Sequence, residues 1–134
     1  MIQNKEIINK IKEYFYDQDD VIALYIFGSF VNGNFNENSD IDLGVMFRDN
    51  IKKVKAFNLK LKIMGALEDI LGLEVDVVIF SQVDMKLQHQ ISRGKLLKGK
   101  DNKQRIRREQ KLFDQYIDMK YFYNKYEEKL GKEF

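Results

Sequence analysis

The 134-residue sequence lacks cysteine and proline and has a single histidine. Without cysteine it can form neither a disulfide framework nor a thiolate metal site. The lone histidine, His89, has no second imidazole with which to complete a zinc site, so we interpret it as a surface or partly buried residue. The absence of proline, repeats and low-complexity tracts leaves no obvious linker. We therefore expect one domain over residues 1–134.

Net charge and long apolar runs are also scarce. The sequence has 23 Lys and Arg against 21 Asp and Glu, a formal net charge of +2, which by itself does not indicate binding to nucleic acid or to a membrane. No window approaches the length of a membrane span, and the charged N-terminal segment does not resemble a signal peptide. We expect a cytoplasmic protein without membrane contact. Apolar residues nevertheless make up 44% of the chain, as in globular proteins with a core.

Apolar residues recur with periods that alternate between helix and strand. The pattern predicts helices over 3–17, 52–71, 82–93 and from Asp101 onward, and strands over 21–28, 41–47, 73–80 and 95–99. The first strand is apolar on both faces and should be central, whereas the last should be a short edge strand. Strands alternating with helices predict an α/β fold with a sheet flanked by helices and a long C-terminal helix.

Three aspartates in or next to the predicted strands form a candidate metal site. Asp40 and Asp42 stand two residues apart in an extended segment, so their side chains point the same way. Asp76 interrupts an apolar strand, where a carboxylate needs compensation by a cation or by solvent. If the strands of Asp42 and Asp76 are neighbours and face the same way, the three carboxylates suit Mg²⁺ or Mn²⁺ instead of zinc. Two such ions about 4 Å apart would activate an attacking hydroxyl and stabilise a leaving phosphate.

A glycine–serine pair follows the first predicted strand. Gly28 lets the backbone approach a ligand closely, and Ser29 offers a hydroxyl and an amide to a phosphate. Either signal alone is weak, but a Gly-Ser turn, ten residues, Asp-x-Asp and a later lone aspartate form a more specific combination. The next residue, Phe30, either stacks on a nucleotide base or caps the core, and we favour the core.

This combination resembles the signature of the DNA polymerase beta-like nucleotidyltransferase superfamily. The stretch GSFVNGNFNENSDID (residues 28–42) matches its Gly-Ser, ten residues, Asp-x-Asp pattern, and EVDVVIF (residues 74–80) resembles the strand that brings the third carboxylate. The chain length is similar to that of the minimal nucleotidyltransferases. These are the antitoxins of toxin–antitoxin pairs whose toxin is a helical HEPN domain. The resemblance covers about residues 5–100.

The resemblance implies a mixed-sheet nucleotidyltransferase fold, ATP with Mg²⁺, and transfer of AMP to a tyrosine of a partner HEPN toxin. It implies that Gly28 and Ser29 hold the terminal phosphates of ATP. Asp40 and Asp42 would bind the metal ions, whereas Asp76 would ligate one metal and help deprotonate the acceptor hydroxyl.

The sequence departs from this pattern in one respect. Many relatives have arginines between the Gly-Ser and Asp-x-Asp elements, but residues 30–39 here contain no Lys or Arg. The charge that neutralises the triphosphate must therefore come from elsewhere. Arg48, Lys52, Lys53 and the partner protein are the alternatives.

Two further features lie toward the C-terminus. Nine Lys or Arg residues occur between Arg93 and Lys111, and they either steer ATP, an acidic partner or RNA, or form ordinary solvated surface. The terminal helix, about 101–131, carries an apolar stripe of Leu112, Phe113, Tyr116, Ile117, Met119, Phe122, Tyr123, Tyr126 and Leu130. Such a stripe packs on another helix, and its many tyrosines favour a partner-docking element.

The carboxylates, the Gly-Ser turn and the resemblance to this family together favour an adenylyltransferase that acts as an antitoxin. One alternative is nucleotidyl transfer to a small molecule or RNA; another is a non-catalytic antitoxin that covers its toxin. The sequence does not specify the preferred nucleotide, the number transferred, the acceptor residue or the oligomeric state.

Overall fold

The computed structural model of the protein describes residues 4–36, 38–100 and 102–133, with side chains as far as residue 129. Its elements, in chain order, are α1 (Asn4–Phe15), β1 (Val21–Phe27), α2 (Ser29–Asn32), β2 (Ile41–Phe47), α3 (Lys53–Leu71), β3 (Val75–Ile79), α4 (Met85–Ser92), β4 (Lys95–Gly99) and α5 (Asn102–Glu133). The α/β prediction is confirmed. The third strand is shorter than the predicted 73–80 at both ends: it begins at Val75, and a 3-10 turn, Phe80–Gln82, takes its last predicted residue. Asp101, the predicted first residue of the terminal helix, lies outside the described residues.

The four strands form one mixed sheet in the order β3-β2-β1-β4. The first strand, β1, runs antiparallel to both β2 and β4, whereas β2 and β3 are parallel. A parallel pair requires a crossover, and here α3 provides it. As predicted, the wholly apolar β1 is central and β4 is an edge strand.

Helices cover both faces of the sheet. On the first face, α1 and α3 contribute Ile7, Ile11, Phe15, Ile63 and Leu67, which pack against Leu24, Ile26, Leu43, Val45 and Val77. On the second face, Ile91 of α4 and Leu112 of α5 pack against Ala23, Tyr25 and Met46. Since alternate strand residues point to opposite faces, Asp42 and Asp76 lie on this second face.

Gly44 sets how closely α4 approaches the sheet. A Cβ atom at this position would lie 2.5 Å from Ile91 Cγ2, so any larger residue would push the helix away. This contact covers the middle of β2, yet Asp42 stays half-buried and Asp76 exposed. The helix therefore leaves the N-terminal ends of β2 and β3 accessible to a ligand.

Polar contacts fasten the first turns of α5 to the sheet. The Tyr25 hydroxyl donates a hydrogen bond to Glu109, which also accepts from Arg105 at 3.0 and 3.1 Å. Burial, followed by this hydrogen bond to Glu109, raises the pKa of Tyr25. Arg108 donates to the Phe47 carbonyl oxygen at 2.8 Å. None of the helices in the described part of the chain is both long and apolar enough to cross a membrane.

Candidate active site

The chain turns sharply at Gly28, directly after β1. This residue has φ 76° and ψ −145°, a conformation that is almost restricted to glycine. The amides of Val31 and Asn32 both donate to the Gly28 carbonyl oxygen at 3.1 Å, which closes the four-residue helix α2. The sequence analysis missed this helix because one turn is too short to produce a helical period.

Gly28 lies against the carboxylate of Asp42. Phe27 pairs with Asp42 in the antiparallel register of β1 and β2, and a Cβ atom on Gly28 would lie 2.4 Å from Asp42 Oδ2. The predicted phosphate-binding turn and the predicted metal ligand are therefore neighbours in space. Ser29 begins α2 at the same corner.

Asp42 also lies beside Asp76 in the sheet. The two residues are directly paired in the parallel register of β2 and β3, and neighbouring strands are about 4.8 Å apart. Burial raises the pKa of Asp42, and the negative charges of Asp76 and Asp40 raise it further. The condition stated from the sequence, that these strands are neighbours and that the two aspartates lie on the same face, is therefore met.

Asp40 precedes β2 and faces a fourth carboxylate. A hydrogen bond with Asp40 raises the pKa of Glu74, and the Ile41 amide donates to the Glu74 carbonyl oxygen at 2.9 Å. The sequence analysis did not identify Glu74, although it stands two residues before Asp76 just as Asp40 stands two residues before Asp42. That repeated spacing was the signal that could have identified it.

The carboxylates are the type of ligand that a divalent cation prefers, but they do not surround a single point. Among the described residues, no three carboxylate or imidazole groups are gathered around one point. The donors are all oxygens, which suits Mg²⁺ or Mn²⁺. Burial, and then the negative charges of Asp76 and Asp40, raise the pKa of Asp42, and a bound cation would favour the ionised carboxylate against both effects. Asp76 is exposed, so solvent compensates its charge and a cation is not obligatory for the fold.

The cations suggested by the sequence lie at the other end of the sheet. Arg48 follows the C-terminal end of β2, opposite Asp42, and donates to Asp20 Oδ1 at 2.6 Å. Lys52 and Lys53 stand at the start of α3, beyond the same end. Within the chain, these three residues are therefore not placed to contact a ligand at Gly28.

A cleft of ≈ 500 Å³ opens beside Gly28. Asn32, Gln90 and Arg93 contribute polar side chains to its lining, and Phe27 and Val31 contribute apolar ones. The sequence analysis did not single out Gln90, and it placed Arg93 only in the general basic run. The cleft brings both residues, from the end of α4, next to the Gly-Ser turn.

Two aromatic interpretations are confirmed. Phe30 packs on the core beneath α1 and α3 and contacts the ring of Phe35, with 5.1 Å between ring centroids. His89 is partly buried and stacks on Tyr116 at 3.8 Å. Burial, with the nearby charges of Arg93 and Lys120, lowers the pKa of His89, so at neutral pH it is an uncharged packing residue.

Much of the basic run stabilises the fold. Lys98 Nζ donates to the carbonyl oxygens of Phe15 and Gln18 at 2.5 and 2.8 Å, and Lys100 pairs with Asp19 at 2.9 Å. Arg105 and Arg108 are also paired within the chain. Several of these cations are therefore already paired within the chain, and fewer of them are free to attract a ligand than the sequence count implies.

The chain matches a known protein family over most of its length. The family described as "Polymerase beta, Nucleotidyltransferase" matches residues 9–103, which include all four β-strands. The chain belongs to this nucleotidyltransferase family. The matched span ends at the second residue of α5.

Two similar proteins carry names that describe an activity. A Methanocaldococcus jannaschii protein, named as a candidate protein adenylyltransferase, is 39% identical over 74 residues, covering 55% of this chain and 72% of that protein. The protein adenylyltransferase MntA of Shewanella oneidensis is 32% identical over 93 residues, covering 68% of this chain and 64% of MntA.

Two solved structures share the fold of this nucleotidyltransferase. A toxin–antitoxin crystal structure with AMP-PNP superposes with a TM-score of 0.69 at 25% identity, covering 85% of this chain and 90% of that chain. A Shewanella oneidensis MNT antitoxin in complex with a tri-AMPylated HEPN toxin gives 0.66 at 21% identity, covering 89% and 91%. The second likeness is evidence for the fold alone.

Proposed function

We propose that this nucleotidyltransferase is a magnesium-dependent protein adenylyltransferase. It moves AMP from ATP to a hydroxyl, a tyrosine by our inference, of a partner HEPN toxin and thereby acts as the antitoxin. The supporting observation is the position of Asp42, which lies against the Gly-Ser turn on one side and beside Asp76 on the other. A site of this kind brings a phosphate chain and metal-binding carboxylates together.

Each site residue has a distinct role in this proposal. Gly28 has no side chain, so phosphate oxygens reach the backbone, and the Ser29 hydroxyl donates to them. Asp40, Asp42 and Asp76 would hold two Mg²⁺ ions, or Mn²⁺ in their place. The bound metal supplies charge neutralisation for the α-phosphate and the leaving group.

The reaction is a substitution at the α-phosphorus of ATP. The oxygen of the acceptor hydroxyl forms a bond to that phosphorus, and the bond from phosphorus to the oxygen of pyrophosphate breaks. Asp76 is exposed and lies beside Asp42 in the sheet, and in this proposal it accepts the proton of the acceptor hydroxyl. AMP remains on the acceptor and pyrophosphate leaves.

We assign recognition of the toxin to the outer part of α5. Leu112 is buried and Tyr116 stacks on His89, but the remaining stripe residues whose side chains are described are exposed. They are Phe113, Ile117, Met119, Phe122, Tyr123 and Tyr126, and we call them the exposed α5 stripe. Leu130, the last predicted member, has a side chain outside the described residues. In this proposal, residues 1–134 form one domain with a core over about 5–100 and a docking helix after it.

The test is the intact mass of a HEPN-type protein from the same operon after incubation with this protein, ATP and Mg²⁺. We expect the mass to rise by whole AMP units. The increase should disappear when Asp40→Ala and Asp42→Ala are combined. Asp69→Ala, which removes an exposed acid on α3, is the matched control and should leave the increase intact.

A second candidate is a non-catalytic antitoxin that covers the toxin, and the exposed α5 stripe is the observation that favours it. If it were right, neutralisation of the toxin in cells would survive Asp42→Ala, because that residue is remote from the stripe. Transfer of AMP to a small molecule or to RNA, without a complex with the toxin, would instead support the other alternative acceptors.

A further inference from the structure

The cleft beside Gly28 contains one cation. Among its described lining residues, Arg93 is the only charged side chain, and Asn32 and Gln90 add amide groups. No acidic residue lines this cleft in the described part of the chain, although the carboxylate of Asp42 lies just behind Gly28. The cleft therefore has a glycine turn that a ligand can approach closely, and side-chain hydrogen-bond donors that suit an anion.

Arg93 differs from the arginines that hold α5 in place. Arg105 pairs with Glu109 and Arg108 pairs with Asp49, whereas no ion pair of Arg93 is formed among the described residues. The main chain of Arg93 is held at the end of α4, because the Arg93 amide donates to the His89 carbonyl oxygen at 3.2 Å. The following Gly94 is also tightly placed, since a Cβ atom there would lie 2.3 Å from the Ile26 carbonyl oxygen.

We propose that Arg93 binds the terminal phosphates of the nucleotide and supplies the positive charge that residues 30–39 lack. This inference rests on the proposed function, because it assigns a further contact within the same site. Gly28 lines the cleft together with Arg93 and also lies against Asp42, so a phosphate chain bound at the turn is close to both the cation and the metal-binding carboxylates. The planar guanidinium offers paired donors to phosphate oxygens, which a lysine could not match.

The test compares nucleotide binding by three variants in the presence of Mg²⁺. Arg93→Gln removes the charge, Arg93→Lys keeps the charge but removes the fork, and Arg107→Gln removes an exposed arginine of the same basic run outside the cleft. We expect Arg93→Gln to weaken ATP binding about tenfold, as for one partly exposed charged hydrogen bond. AMP binding should be unchanged because AMP has no terminal phosphates.

The two control variants distinguish a direct contact between Arg93 and phosphate from long-range attraction by the basic residues. Arg93→Lys should recover part of the lost ATP affinity, and Arg107→Gln should bind ATP like the unmodified protein. Equal weakening by Arg93→Gln and Arg107→Gln would overturn the proposal, since long-range attraction would then explain both. Equal loss of ATP and AMP affinity would also overturn it, because the contact would not be to the terminal phosphates. Thermal unfolding of each variant identifies a change caused by lost folding.

Kinetics with the toxin distinguish this inference from the proposed function. If Arg93 contacts the terminal phosphates, Arg93→Gln raises KM for ATP in the transfer reaction more than it lowers kcat. Normal transfer by Arg93→Gln at low ATP would reject the role of Arg93 and leave the proposed function standing. ATP binding that depends on Arg93, without any AMP transfer by the unmodified protein, would support this contact and reject the proposed function.

Discussion

Gly28 lies so close to Asp42 that a Cβ atom on Gly28 would be 2.4 Å from Asp42 Oδ2. The turn that ends β1 and the carboxylate that begins β2 are therefore one structural unit. Its geometry depends on the absence of a side chain at Gly28, whereas Asp42 carries the chemistry.

Gly28→Ala should damage both the fold and the site. The positive φ and the contact with Asp42 together predict a loss of about 1–3 kcal/mol in the free energy of unfolding, and displacement of Asp42 predicts about a 100-fold loss of transfer rate. Gly33→Ala is the matched control, since Gly33 also has a positive φ of 80° but no atom within 4 Å of an added Cβ. It should lose stability while keeping activity, and equal activity losses in the two variants would contradict the role of Gly28.

Asp42→Asn should abolish transfer yet stabilise the fold at neutral pH. The pKa of Asp42 is raised, chiefly by burial, so the folded state holds the proton more tightly than the unfolded chain. The charged form therefore costs stability above the folded pKa, and the cost vanishes below the unfolded value of about 3.9. Thermal unfolding in the absence of metal should show a higher Tm for Asp42→Asn at pH 7 and no difference near pH 3.

Asp20→Asn should change stability in the opposite direction and destabilise the fold at neutral pH. The hydrogen bond from Arg48 is the main cause of the lowered pKa of Asp20, so the ionised carboxylate stabilises the fold above the unfolded pKa. That contribution is lost as pH falls through the lowered folded pKa. Asp20→Asn should therefore have a lower Tm than the unmodified protein at pH 7, with the gap closing in acid. A Tm change of the same sign in both variants would contradict the electrostatic assignment.

Gly44→Ala should separate α4 from the sheet. The added methyl group meets Ile91 Cγ2 at 2.5 Å, and overpacking of this kind costs about 1–3 kcal/mol in unfolding free energy. Adding Ile91→Leu should recover part of the loss, because leucine lacks the Cγ2 branch that the new methyl group meets. Gly65→Ala in α3 is the control, because an added Cβ there meets nothing within 4 Å; it should gain about 0.5–1 kcal/mol. Urea unfolding measures all three variants.

Phe122→Ser should weaken the complex with the toxin without destabilising the protein. Phe122 is 70% exposed on the outer part of α5, so its loss removes little packing within the chain. Truncation of an aromatic anchor in an interface costs about 2 kcal/mol or more, which corresponds to at least a tenfold higher Kd. Tyr16→Ser, at an 87% exposed aromatic residue after α1, is the control for surface aromatic loss. Equal effects of the two variants on Kd would contradict the assignment of the α5 stripe.

The sequence predicted most of the elements because their signals are local. The apolar run at Val21–Phe27, the alternation at Ile41–Phe47 and the glycine that ends α3 each require only neighbouring residues. Pairing of Asp42 with Asp76 had to be stated as a condition, because strand order depends on contacts between distant segments. The structure shows that the two residues are paired in neighbouring parallel strands.

The parts that the sequence did not predict depend on spatial proximity or on very short segments. Arg93 directly follows α4, and only the packing of α4 brings it beside Gly28. Arg48 was one of the alternatives for the missing charge, but it follows the far end of β2 from Asp42. The contact between Asp40 and Glu74 likewise arises from the parallel pairing of β2 and β3.

The most direct test of the central claim follows the phosphates of ATP during the reaction. The protein, Mg²⁺ and its HEPN partner are incubated with ATP labelled either at the α- or at the γ-phosphate, beside the same mixtures containing Asp42→Asn. An adenylyltransferase predicts that the α-label stays on the partner, the γ-label leaves in pyrophosphate, and neither transfer occurs with Asp42→Asn. Retention of the γ-label, or α-labelling that persists with Asp42→Asn, would contradict the account.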